Sequence, residues 1–183
     1  HAGGTSKALW IVNVDGTAAQ QLTTTAPMAH ALWGVKSSSW APGADRIVTG
    51  NYDYASNFGR DDLVLHGLGL VGGALAVTSS VNLTDDASMP GGALNGRRVT
   101  NPSWSRAGNR IALALSKDGN SEIYLLDRNG GEYRRLTNDP QVDSSPSWSP
   151  DGKKLAFVSA RGGSPQIYVM DVDTGDKGAR RLT

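Results

Sequence analysis

Short apolar runs recur along the chain, and none extends into the 3.6-residue periodicity of an amphipathic helix. One set occupies residues 9–12, 63–65, 123–126 and 167–170, and a second set occupies 47–48, 111–113 and 155–157. Each run of the second set follows a Ser-Trp pair, at Trp40, Trp104 and Trp148, with a basic residue six positions after the Trp: Arg46, Arg110 and Lys154. Runs of the first set lead to a Leu-Thr pair at Leu22-Thr23, Leu83-Thr84, Leu136-Thr137 and Leu182-Thr183. Between run and pair lie turn formers, as in Asn13-Val14-Asp15-Gly16, Asp127-Arg128-Asn129-Gly130 and Asp171-Val172-Asp173-Thr174-Gly175. The pattern predicts units of four short strands: one ending at Ser-Trp, one opening at the basic residue, the aliphatic–aromatic run, and one ending at Leu-Thr. Apolar residues stand consecutively in the third strand, so both faces of each unit should be covered.

Four-stranded units at a period near 45 residues are blades of a propeller, so the expected class is all-β with almost no helix. Residues 24–84, 85–137 and 138–183 form three blades, and residues 1–23 supply the last two strands of a fourth. About three and a half blades are therefore present, where propellers typically close with four to eight. The count predicts a piece of a longer propeller, or a unit completed by other chains. Trp40, Trp104 and Trp148 are expected to pack between strands or blades, since an indole buries a large area with one donor to satisfy.

The stretch 147–157, Ser-Trp-Ser-Pro-Asp-Gly-Lys-Lys-Leu-Ala-Phe, with Ile167-Tyr168-Val169-Met170-Asp171 and Arg181-Leu182-Thr183, closely resembles the WD-like repeat of the TolB-like β-propeller family. Residues 101–137 resemble it well, with Ser105-Arg106-Ala107-Gly108 at the turn; the second blade departs further, reading Ala41-Pro42-Gly43-Ala44 there. The resemblance implies a non-catalytic scaffold, exported to the periplasm or cell surface, that binds protein partners or further copies of itself. The same repeat also builds the substrate-gating propeller of some prolyl-oligopeptidase-like serine peptidases, whose hydrolase domain would lie outside these residues. A structural subunit of a multichain assembly is the third reading.

Composition narrows the chemistry. Eighteen basic and seventeen acidic residues leave a net charge of +1, which gives no electrostatic reason to expect nucleic acid as a partner. The absence of Cys excludes disulfides, thiol catalysis and Cys-ligated metals. No apolar run approaches the roughly 20 residues of a membrane-spanning helix, so direct membrane insertion is not expected. The string Gly67-Leu68-Gly69-Leu70-Val71-Gly72 imitates a dinucleotide fingerprint, but the following residues read as a strand where a helix is required. A long flexible hairpin is expected there. The acidic run 171–176 lacks the acidic residue a calcium loop needs six positions on, and the three His are too far apart for a zinc pair. The pattern G-x-S-x-G is absent, so no catalytic residue, metal or cofactor is expected.

The informative departure is the loop of the second blade, Asn51 to Asp62, about twice as long as its counterparts near Lys117 and Arg161. Three of the seven Tyr and Phe residues fall in it, and aromatics beside Arg and Asp on a loop have the composition of a recognition surface. Tyr52, Tyr54, Phe58 and Arg60 are thus the candidate partner-binding residues. The alternative is a lid folded back over the blade.

Overall fold

The computed structural model describes residues 8–22, 33–53, 61–84, 98–116, 119–131 and 133–183. A two-stranded pair, β1 (Trp10–Ile11) and β2 (Gln20–Gln21), precedes three four-stranded antiparallel sheets. Blade I comprises β3 (Trp33–Trp40), β4 (Arg46–Asp53), β5 (Asp61–Val71) and β6 (Ala74–Asn82). Blade II comprises β7 (Arg98–Trp104), β8 (Arg110–Ser116), β9 (Glu122–Asp127) and β10 (Tyr133–Arg135). Blade III comprises β11 (Asp143–Trp148), β12 (Lys154–Ser159), β13 (Gln166–Asp171) and β14 (Arg180–Arg181). The one helical turn among the described residues is a short 3-10 segment, Gly175–Gly178. The sequence expectation of a partial all-β propeller of four-stranded blades holds.

The consecutive apolar residues of the middle strands serve two neighbours. From β8, Ile111, Leu113 and Leu115 join Val48, Leu63 and Leu65 of blade I, while Ala112 and Ala114 join Leu155, Phe157 and Met170 of blade III. Each fully buried aliphatic side chain contributes about 1.5–3 kcal/mol of hydrophobic stabilisation. The first strands β3, β7 and β11 adjoin across the blade boundaries. This arrangement puts them inside the arc and leaves β10 and β14 outside.

The Leu-Thr pairs close the outer strands. Leu83, Leu136 and Leu182 donate their backbone N–H to Leu63, Ile123 and Ile167 carbonyls at 2.8 Å each, and Leu22 does the same to Leu9 at 2.9 Å. The hydroxyls of Thr84, Thr137 and Thr183 accept the N–H of Leu63, Ile123 and Ile167 at 3.1, 2.9 and 3.0 Å. The same hydroxyls donate to Asp62, Glu122 and Gln166 at 2.8, 2.6 and 2.8 Å.

The tryptophans do not share one environment. Trp104 is buried, and the Trp148 indole donates across the boundary to the Ser103 carbonyl at 2.9 Å. Trp40 departs from the expectation at 43% exposed. The glycine-rich string forms the long hairpin expected, although its first two glycines do not make the turn. Gly67 and Gly69 lie within β5, and the turn falls at Gly72-Gly73, both at positive φ (60° and 84°), as a two-residue hairpin with right-handed strand twist requires. The Leu68 and Val77 side chains of this extended hairpin pack with Leu9, Ile11 and Leu22, which ties β1 and β2 to blade I.

Candidate functional site

The described residues that flank the long loop of blade I are paired strands. Asn51 pairs with Asp62 and Tyr52 with Asp61 at the end of the β4–β5 ladder. Tyr54, Phe58 and Arg60 lie outside the described residues, and of Tyr52 the described part is its backbone, paired on its other side with Gly34. At the end of this ladder, the Lys36 ammonium donates to both Asp61 carboxylate oxygens at 3.0 Å. The Asp61 side chain has no solvent exposure, and burial raises its pKa against the opposing pull of Lys36. Asp62 receives the Thr84 hydroxyl, so both carboxylates at the loop's return are held. The Asn51 amide oxygen is buried without a hydrogen-bond partner among the described residues.

The corresponding corner of blade III is built around Arg161, which sequence reading left as part of a short loop. Its guanidinium donates to Asp143 Oδ2 at 2.7 Å and Asp176 Oδ1 at 2.6 Å, and its Nε donates to Ser159 Oγ at 2.8 Å. It also lies over the Phe157 and Tyr168 rings, 5.4 and 5.1 Å from their centroids. Burial disfavours its charge, yet Asp176 and Asp143 outweigh that cost and raise its pKa. Asp176 also accepts the Asn138 N–H, which pins the segment joining blade II to blade III. The acidic run 171–176 is thus engaged in structure: Asp171 pairs with Lys154, and Asp176 with Arg161. Lys36 was equally missed; its one signal is a cation in an inner strand where the other blades carry Thr100 and Ser144.

On the inner strands, a bulge precedes each Trp. In blades II and III it places Asn101 and Ser145 at φ of 52° and 53°. Blade I meets this rim through side chains: Ser37 Oγ accepts the Asn101 N–H at 3.2 Å, and Ser39 Oγ accepts that of Trp104 at 3.1 Å. The chemistry on display is that of a fixed frame carrying loops. Among the described residues no group of three or more His, Cys, Asp and Glu side chains could hold a metal.

Residues 87–183 match the TolB beta propeller domain family. Among solved structures, TolB from Acinetobacter baumannii is 30% identical over 96% of this chain and 37% of its own, with a TM-score of 0.65. A putative TolB from Agrobacterium tumefaciens is 19% identical over 100% of this chain and 58% of its own, with a TM-score of 0.68. Dipeptidyl peptidase 4 from Porphyromonas gingivalis shares the fold at 17% identity and a TM-score of 0.57, over 97% of this chain and 24% of its own. This chain therefore spans between about a third and three fifths of the length of the two TolB structures. Its repeat grammar, its blades and the family match over more than half of its residues agree: the chain belongs to the TolB β-propeller domain family.

Proposed function

We propose that this chain is part of an exported TolB-like propeller that holds protein partners in the periplasm or at the cell surface, without catalysis and without a cofactor. The observation that carries the reading is the long β4–β5 loop of blade I. It concentrates Tyr52, Tyr54 and Phe58 beside Arg60, and its feet are fixed by the Lys36–Asp61 pair and the Asp62–Thr84 hydrogen bond. A recognition loop on a rigid base binds without first ordering its anchor points, which lowers the entropic cost of association.

Affinity capture from an envelope extract, with the captured protein identified and then purified, supplies the partner for a binding titration. Replacing both tyrosines, Tyr52→Ala with Tyr54→Ala, is expected to weaken that titration by tenfold or more, on the order of the loss of one aromatic anchor, with little change in Tm. Unchanged binding would remove the loop from the interface. A large fall in Tm would identify it as a lid over the blade.

A further inference from the structure

In every blade, the basic residue opening the second strand stands opposite a residue of the third. Arg46 faces Gly67, Arg110 faces Asp127, and Lys154 faces Asp171. Lys154 and Asp171 form an ion pair at 2.6 Å. Arg46, opposite a glycine, turns to Asp45 at 3.6 Å and to Asn129. Blade II holds both halves of the pair and does not join them. The Asp127 carboxylate turns into its own hairpin, where it accepts the N–H groups of Asn129 and Gly131 at 2.7 and 2.9 Å. Among the described residues, the Arg110 guanidinium is left with no hydrogen bond and no ion pair; only its backbone is engaged, the N–H donating to Ser105 Oγ and the carbonyl accepting the Ser105 N–H.

This unpaired cation borders a groove of about 430 Å³, where the turns after β9 and β13 face each other across the boundary of blades II and III. Arg134 lines the same groove, its guanidinium fixed by one hydrogen bond from Nη2 to the Val172 carbonyl at 2.7 Å. Leu125 contributes an apolar wall, and Asp127 and the exposed Asp173 stand at the rim. Asp173 forms no ion pair with either arginine among the described residues. Two guanidinium groups with free N–H donors match a carboxylate, which they can grip in paired hydrogen bonds. The two aspartates repel a ligand of higher charge. A single carboxylate on a neutral stem, as an Asp or Glu side chain within a peptide presents it, meets both conditions.

We propose that the groove between Arg110 and Arg134 binds the carboxylate side chain of an acidic peptide segment of a partner protein. This rests on the reading that the chain binds proteins, but it concerns a different surface from the blade I loop. Either surface can therefore fail alone.

The test follows the arginine Nε–H resonances of the full chain by NMR during titration with capped Leu-Glu-Leu, its Gln counterpart and free succinate. The Glu peptide is expected to shift the Arg110 resonance saturably. The Gln peptide is expected to bind at least about tenfold more weakly, as loss of a charge-assisted contact implies. Arg110→Gln should abolish the Glu-peptide response at unchanged Tm, because its side chain has no partner to lose, and Asp173→Asn should tighten it. No saturable shift at millimolar peptide would overturn the site, and so would equal binding of the Glu and Gln peptides. Succinate binding as tightly as the Glu peptide would overturn the assignment to a peptide.

Discussion

His66 lies buried in β5 with both ring nitrogens engaged: Nε2 stands 3.0 Å from Thr49 Oγ1 and Nδ1 stands 2.8 Å from Ser80 Oγ. The two hydroxyls satisfy a neutral ring, one giving and one receiving. Burial lowers the pKa from 6.5 to about 4. Above pH 6.5 both folded and unfolded chains carry a neutral ring, so this residue contributes no slope there. As pH falls from 6.5 towards 4 the unfolded chain takes up the proton first, and stability declines. The full loss is about 3 kcal/mol, complete once the folded state also protonates. Urea unfolding of the native chain and of His66→Gln, compared at neutral and at mildly acidic pH, measures it. The native chain should lose more stability on acidification than the variant; parallel losses would mean that His66 does not carry the slope.

At the scale of the strand, each outer edge is held by a threonine hydroxyl that bridges a backbone N–H and the side chain at the head of the third strand. Thr137 is the most enclosed of the three, 1% exposed, and its partner Glu122 is 2% exposed. Thr137→Val keeps the shape but strands the Ile123 N–H and removes one of the donors to Glu122. The expected cost is about 1–3 kcal/mol, as for a buried polar group left unsatisfied. Thr183→Val, at an exposed position with the same bonding pattern, should cost less than half as much by chemical denaturation. The Leu-Thr pair was visible in the sequence because it recurs, but its purpose was not. The residue it grips changes from Asp62 to Glu122 to Gln166 and lies 15 to 22 residues away. Strand order and the two-faced burial of β9 were legible for the opposite reason, since they follow from local apolar pattern alone. The long loop was legible as an insertion. The Arg110 groove was not: in sequence Arg110 is one more copy of a repeat mark, and only the inward turn of Asp127 sets it apart.

Across the whole molecule, each blade is stabilised chiefly by its neighbours, so the boundaries decide how far a local fault spreads. Blades I and II meet closely at Gly50 of β4. A Cβ there would stand 2.9 Å from Ser37 Oγ and 3.3 Å from the Val99 carbonyl oxygen of β7. Ser37 can rotate, although it would then release the Asn101 N–H it accepts, whereas the Val99 carbonyl belongs to the backbone of the next blade. Gly50→Ala therefore wedges the two blades apart, at an overpacking cost of about 1–3 kcal/mol. Blades II and III share a separate core, and Trp148 crosses to Ser103 at their own boundary. Amide hydrogen exchange should accordingly show faster exchange across β3 and β4 of the variant, with protection in β12 and β13 close to that of the native chain. If protection fell equally in all three blades, the chain would unfold as one cooperative unit, and strain at a single boundary would act on every site it carries.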